Sequence, residues 1–231
     1  MVYIATLAIG HDFRKGLAKC LESKRIYAEK HGYTYIEGDE TIWDRTRPIP
    51  WSKIPFLLGI LEKVPDGEIV WLSDADVLIT NYEYSLEAHV FPAFPKEKDM
   101  LMCLDACRNL NSGNVFLRNS AWMRSFWKRV GEQTELLYHI WWENAAIIKL
   151  LALEPDSLAR VEIVKDHTRF NSYLQGNMGE SLWIPGHFLV HFAGVYDVST
   201  IRELVEYILN GKIPRIMCNK KIELLNIDAS S

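Results

Sequence analysis

The sequence predicts an α/β fold: a mixed, mostly parallel central sheet flanked by helices. Strand, helix, strand, helix and strand patterns follow one another through the first 80 residues, the order of a parallel sheet wrapped by helices. The 231 residues are 48% hydrophobic and 24% charged, an ordinary globular composition with enough chain for one large core. No repeat, low-complexity tract or linker interrupts the pattern, so residues 1–231 read as a single domain.

The elements follow in order. "VYIATLAIG" (2–10) is a strand ending at Gly10. "FRKGLAKCLESKRIYAEKHG" (13–32) is a helix, with Leu17, Leu21 and Ala28 near helical spacing and Gly32 as its stop. "YTYIEGD" (33–39) is the second strand. Beyond the loop holding Arg47-Pro48-Ile49-Pro50, "SKIPFLLGILEKV" (52–64) is a helix with Ser52 as its cap. Pro65-Asp66-Gly67 is a turn, and "EIVWLSDADVLITN" (68–81) is the third strand. The second half is more mixed. Strands are expected over "DMLMCLDAC" (99–107), "GNVFLRN" (113–119), "ARVEIVKD" (159–166) and "HFLVHFAG" (187–194). Helices are expected over "SAWMRSFWKRVGEQT" (120–134), "WWENAAIIKLLALE" (141–154) and "VSTIRELVEYILNGK" (198–212).

Net charge is −4, so no global basic field draws in nucleic acid; an anionic ligand must be held by a metal or a few placed cations. Eight Trp, ten Tyr and nine Phe supply core, and such a load also suits stacking on sugars or bases. Cys20, Cys103, Cys107 and Cys218 make no disulfide framework and are expected as free thiols. Cys103-x3-Cys107 and His187-x3-His191 have finger-like internal spacing. The pairs lie about 80 positions apart in apolar strand-like runs, outside the compact spacing of structural zinc sites. The opening apolar stretch is too short for a membrane span and carries no basic n-region or cleavage site. The chain as given is therefore expected to be soluble and cytoplasmic, either standing alone or as a catalytic domain cut from a longer polypeptide.

Chemistry concentrates in the third strand. Asp74 and Asp76 interrupt an apolar run, which costs several kcal/mol unless they are paired. On an extended strand residues i and i+2 share a side, and open α/β sheets bind ligands beyond the carboxyl ends of their strands. Two neighbouring carboxylates repel unless a cation joins them, and Mn²⁺ or Mg²⁺ binds through such carboxylates together with phosphate oxygens. The plain alternative is a turn whose aspartates hydrogen-bond backbone amides. Other phosphate machinery is missing: the sequence has neither G-x-x-x-x-G-K-[ST] nor G-x-G-x-x-G. An aspartyl-phosphate phosphatase would want its D-x-D on the first strand.

Further segments align behind the aspartates. They are Trp51-Ser52-Lys53 before the motif strand, "LNSGNVFLRNS" (110–120) after it, and His191-Phe192-Ala193-Gly194 near the end. With D-A-D, these in their order make the chain resemble GT-A glycosyltransferases of the galactosyl/mannosyl/xylosyltransferase group (GMA12/MNN10 type, glycosyltransferase family 34), over roughly residues 1 to 200. Two departures stand out. Glu143-Asn144 occupies the place of an Asp-Gln-like pair, and the membrane anchor and stem usual in eukaryotic members are lacking.

The resemblance implies a GT-A, Rossmann-like fold, with a nucleotide-binding part over about 1–105 and a donor-sugar and acceptor part over about 106–231. It implies that Thr6, Leu7, Ala8 and Gly10 cradle base and ribose, and that Asp74, Asp76 and His191 hold the metal. Imidazole suits Mn²⁺ better than Mg²⁺. It implies that Asp74 and Ala75 also meet the nucleotide, that Lys53 neutralises phosphate or positions the motif strand, that Gly194 serves the diphosphate, and that Asn111, Ser112 and Gly113 face the donor sugar. Asp105, Glu143 and Asn144 are the catalytic candidates, and Trp141 and Trp142 candidates for stacking on the acceptor. The implied reaction is a metal-dependent transfer of a sugar from a nucleoside-diphosphate sugar, a UDP-hexose for preference, to a glycan or glycoprotein acceptor with retention. A metal-dependent nucleotide-sugar or phosphoester hydrolase and a non-catalytic sugar- or nucleotide-binding module remain as alternatives. Donor sugar, acceptor, linkage and oligomeric state are not legible.

Overall fold

The structure, a computed structural model, describes residues 1–217 and 221–225; Cys218 lies outside them. In chain order the strands and helices are β1 (Val2–Leu7), α1 (His11–Gly16), α2 (Ala18–His31), β2 (Thr34–Gly38), α3 (Lys53–Leu61), β3 (Ile69–Ser73), β4 (Val77–Ile79), α4 (Leu86–His89), β5 (Met100–Leu104) and β6 (Leu110–Arg118). They continue with α5 (Ala121–Gly131), α6 (Trp142–Leu153), α7 (Pro155–Leu158), β7 (Val161–Val164), β8 (Leu189–His191), α8 (Val198–Leu209), β9 (Ile213–Ile216) and β10 (Ile222–Leu225).

The main sheet has six strands in the order β2-β1-β3-β6-β5-β7. β1 pairs parallel with β2 and β3, and β5 parallel with β7, while β6 runs antiparallel between β3 and β5. The expected mixed, mostly parallel sheet is therefore present. Strand periodicity sorts the side chains between its two faces. Ala5, Val70, Leu72, Met100, Met102, Val115 and Leu117 pack against α3, α5 and α6. Ile4, Ile69, Trp71, Leu101, Cys103 and Phe116 pack against Tyr27 and Ala28 of α2, and against Phe170 and Phe188. Both faces are covered, which is why these strands read as apolar runs rather than as alternation.

Several local expectations need correction. The helix expected over 13–32 is two helices joined at Leu17. Gly16 is a weak helix former, and α8 presses on it: a Cβ there would lie 1.8 Å from Val198 Cγ1. Ser52 does not cap α3. A 3₁₀ turn over Ile49–Ser52 leads straight into the helix, so Ser52 is itself helical (φ −65°, ψ −17°) and accepts no capping bond. Asn111, Ser112 and Gly113 lie within β6, because Cys103 pairs with Asn111 and extends the strand backwards. The strand expected over 187–194 shrinks to β8. The β9–β10 hairpin has no counterpart in the sequence reading, since its residues show no regular alternation.

The motif strand is also broken. β3 ends at Ser73, residues 74–76 turn, and β4 leaves the main sheet to pair antiparallel with β8, Val77 opposite His191. Asp74 and Asp76 thus sit on a turn at the carboxyl end of a central strand, and not along an extended one. Among the described residues no helix is long and apolar enough to cross a membrane.

The contact at Gly16 can be measured. Gly16→Ala should destabilise the fold by about 1–3 kcal/mol, the usual cost of forcing an extra methyl into a packed contact. A lower urea midpoint with an unchanged slope is the expected result.

Candidate active site

A cleft of about 470 Å³ opens at the carboxyl ends of β1 and β3 and is lined by residues of four sequence motifs. The D-A-D turn forms its floor. Two ties from α2 hold the turn from behind: the Lys24 ammonium donates to Val77 O at 2.7 Å and Ala75 O at 3.4 Å, and Ile79 N donates to Ser23 Oγ at 3.0 Å. Lys24 is fully buried. Burial pushes its pKa down to about 8, against the pull of Cys20, Asp76 and Asp74.

The β4–β8 pairing carries His191 to the turn. Its Nε2 lies 3.5 Å from Asp76 Oδ1 and 3.9 Å from Asp74 Oδ2. Asp74, Asp76 and His191 form the one group of three metal-ligating residues among the described residues, with one ligand atom from each within 4.8 Å of the others. Burial alone would push the Asp76 carboxyl up; His191 and Lys24 outweigh it and hold it below 3.8. Two carboxylate oxygens and an imidazole nitrogen suit a hard-to-borderline divalent ion such as Mn²⁺. Among the described residues, Cys103, Cys107 and His187 join no such group, in keeping with a spacing outside that of structural zinc sites.

Lys53, the first residue of α3, spans the cleft. Its ammonium lies 2.7 Å from Asp74 Oδ1 and 2.6 Å from Glu143 Oε1. Burial lowers the Lys53 pKa, but the two carboxylates outweigh it and hold the pKa above its ordinary value. Lys53 is therefore engaged by carboxylates rather than free for phosphate. Glu143 also accepts from Ser112 Oγ at 3.3 Å. Beside it, Asn144 Nδ2 donates to Leu110 O at 2.9 Å, and its Oδ1 is buried without a partner.

Of the residues expected to bind or react, Leu7, Lys53, Asp74, Ala75, Asp76, Asp105, Asn111, Ser112, Gly113, Glu143, Asn144, His191 and Gly194 line this cleft. Thr6, Ala8 and Gly10 do not. Thr6 and Ala8 are fully buried, and the Thr6 hydroxyl donates to Ser73 O at 3.0 Å, joining two strands. Alternation along the chain presents Leu7 and Ile9 to the cleft, with Phe13 beyond them. Asp105 reaches the cleft, yet its Oδ1 accepts from Cys107 N and Asn109 N at 2.8 and 2.9 Å and closes the turn between β5 and β6. Trp141 and Trp142 stand at the rim, and Trp142 has φ 42°.

Two buried residues escaped the sequence reading. Lys24 falls on the buried stripe of Leu17, Cys20, Leu21, Tyr27 and Ala28. A lysine at that helical spacing was the available signal. Asn171, whose Oδ1 is 3.0 Å from His191 Nδ1, belongs to no motif.

A family profile described as "galactosyl transferase GMA12/MNN10 family" matches residues 8–98 and 93–200, most of the chain. The chain belongs to the GMA12/MNN10 family. Two curated relatives, both from Schizosaccharomyces pombe, are similar to it across the same share of its length. An uncharacterized alpha-1,2-galactosyltransferase is 27% identical over 229 residues, covering 80% of this chain and 58% of the relative. An alpha-1,2-galactosyltransferase is 26% identical over 225 residues, covering 80% and 56%. This member of the family thus spans between half and three fifths of the relatives it matches.

Solved structures agree on architecture. A glycosyltransferase involved in glycosylation of the major capsid of PBCV-1 superposes with TM-score 0.69 at 17% identity, over 89% of this chain and 98% of that one. The galactosyltransferase LgtC, in complex with donor and acceptor sugar analogs, superposes with TM-score 0.50 at 12% identity, over 88% and 95%. At these identities the likeness establishes the fold, which is GT-A.

The bridge between Asp74 and Glu143 has a measurable consequence. Lys53→Met leaves the buried Glu143 carboxylate facing the partly exposed Asp74 with no cation between them, and should cost about 3 kcal/mol in urea unfolding. The pKa of Lys53 is raised above the 10.5 of the free side chain. Its contribution is therefore fully present below that value and lost only as pH rises through the higher folded value. The gap between wild type and variant should be the same at about pH 7 and about pH 9.

Proposed function

We propose that this chain is the catalytic domain of a metal-dependent glycosyltransferase that moves a sugar from a nucleoside-diphosphate sugar, a UDP-hexose for preference, to a glycan or glycoprotein acceptor with retention. The observation that carries the proposal is the convergence of Asp74, Asp76 and His191, in a chain of the GMA12/MNN10 family, on one wall of a cleft whose other wall holds Glu143 and Asn144. LgtC, which shares the fold, is a galactosyltransferase and binds donor and acceptor sugar analogs. The S. pombe relatives carry alpha-1,2-galactosyltransferase names.

The division of labour follows from the geometry. Leu7, Ile9 and Phe13 offer an apolar wall for the base, at the end of the cleft built by the first strand. Asp74, Asp76 and His191 would hold Mn²⁺ (Mg²⁺ is the weaker fit for an imidazole). When bound, the ion supplies charge neutralisation for the departing diphosphate. Gly194, with φ 79°, lets the backbone approach the diphosphate closely. Lys53 and Ser112 fix the Glu143 carboxylate as a stationary negative charge near the sugar, where it favours an oxocarbenium-like transition state. The unpartnered Asn144 Oδ1 accepts a hydroxyl of the donor sugar. A Glu143 already held by two donors is better suited to electrostatic support than to covalent attack. That supports same-face transfer, with leaving-phosphate oxygens taking the acceptor proton. Trp141, exposed at the rim, is placed to stack on an acceptor sugar.

A thermal-shift screen of UDP- and GDP-sugars with and without Mn²⁺ tests the proposal. A UDP-sugar with Mn²⁺ should raise the melting temperature, a ligand at about 100 times its Kd adding about 2.7 kcal/mol. Asp76→Asn should abolish the metal-dependent part of that shift. No stabilisation by any nucleotide in the presence of metal would refute the reading. Free sugar released at the same rate with and without acceptor would indicate a hydrolase, and binding without turnover a binding module.

A further inference from the structure

His191 can serve a metal through Nε2 only if the ring carries its proton on Nδ1. A neutral imidazole has one donor and one acceptor nitrogen, and nothing intrinsic to the ring makes that choice here. The surroundings make it, through groups that can only donate.

The first chain starts at Trp71. An indole N–H has no acceptor capacity, and Trp71 Nε1 lies 3.0 Å from Asn114, which must present Oδ1 to it. The other end of the Asn114 amide is then Nδ2, a donor, 2.9 Å from Asn171, which must present Oδ1 in turn. The second chain starts at the backbone. Gly113 N–H donates to Asn111 Oδ1 at 2.9 Å, and the same oxygen faces Asn171 at 2.9 Å. Asn171 must therefore turn Nδ2 towards Asn111. Two fixed donors, an indole and a peptide N–H, reach the same orientation of Asn171 by separate routes. Its Oδ1 lies 3.0 Å from His191 Nδ1.

An amide oxygen cannot donate, so the proton on that contact belongs to His191. Trp71, Asn114 and Asn171 are fully buried, so no water competes for their bonds, while Asn111 is partly exposed on the cleft wall. The ring is also confined in space. It packs on Gly113, where a Cβ would come within 2.1 Å of His191 Cε1, and against the Tyr173 ring at 5.5 Å between centroids.

We infer that Asn171 is a positioning residue that, held by Trp71 through Asn114 and by the Gly113 amide through Asn111, locks the neutral His191 ring in the Nδ1–H tautomer, with Nε2 as its unprotonated nitrogen towards Asp74 and Asp76. The inference rests on the metal-binding reading above. It adds that ligand competence is built into the protein before any ion arrives. Outer partners of this kind are worth about 10- to 100-fold in metal affinity.

The test uses the whole chain and two readouts. In metal-free, ¹⁵N-histidine-labelled wild-type protein, at a pH beyond which the His191 ring signals no longer change, the long-range ring correlations of His191 should show the proton on Nδ1. Mn²⁺ affinity, read as free ion by electron paramagnetic resonance, should fall by about 10-fold or more in Asn171→Leu. A proton on Nε2 in the wild type overturns the inference, and that measurement needs no variant to fold. So does a folded Asn171→Leu with wild-type Mn²⁺ affinity. If the wild type shows the Nδ1–H tautomer but binds no Mn²⁺, the relay stands and the metal reading is what fails.

Discussion

Acidic and acceptor-type groups crowded into a low-dielectric cleft impose the governing constraint on this molecule. Asp74, Asp76 and Glu143 would repel one another and lose hydration at once. The fold meets this with two ammonium groups on opposite sides of one turn, one fully buried and one largely so. Lys53 stands in front, between Asp74 and Glu143, and Lys24 stands behind, on the carbonyls of Ala75 and Val77. Each lysine begins on a helix of a different face of the sheet, so the turn at the end of β3 is clamped by both layers.

That arrangement explains why the turn can leave the main sheet. β4 breaks away to pair with β8, and the pairing brings His191 to the carboxylates from a segment more than a hundred residues later. The geometry thus depends on sheet register. Val77 opposite His191 sets the position along the strand, and Ser73 opposite Asn114 sets the amide network beneath it. Gly113 lies between the two, and only a residue without a side chain leaves space for the imidazole. Structural and chemical demands therefore fall on the same few residues, and the motif "NSG" serves as β6 backbone and as wall of the cleft together.

The parts legible in the sequence were those governed by local periodicity and by motif order. Apolar runs with helical stripes between them foretold the sheet and its layers. D-A-D, W-S-K, N-S-G and H-F-A-G foretold which segments meet, because each pairs a chemically costly residue with a turn or small residue that only a site requires. Legibility failed where an element's fate depended on a distant neighbour. The helical run is interrupted after Gly16, which packs closely on Val198 of α8, and Thr6 lies away from the cleft with its hydroxyl donating to Ser73 O. For Lys53 the sequence left open phosphate neutralisation or positioning of the motif strand, and only the fold shows it held by Asp74 and Glu143. Lys24 and Asn171 were invisible as functional residues, since a lysine in a charged helix and an asparagine beside a serine are unremarkable until their burial is known.

By itself, then, the sequence determined the α/β class, the family and the inventory of charged and acceptor groups, because these follow from residue type, spacing and order along the chain. Only the tertiary structure decided the pairing of those groups: which carboxylate faces which lysine, which first-strand residues reach the cleft, and which way the His191 ring is presented. The physical reason is that burial and hydrogen-bond direction are properties of neighbours brought together by folding. A donor that can only donate, such as the indole of Trp71, sets the orientation of amides and of an imidazole far from it in sequence, and no local pattern encodes that relation.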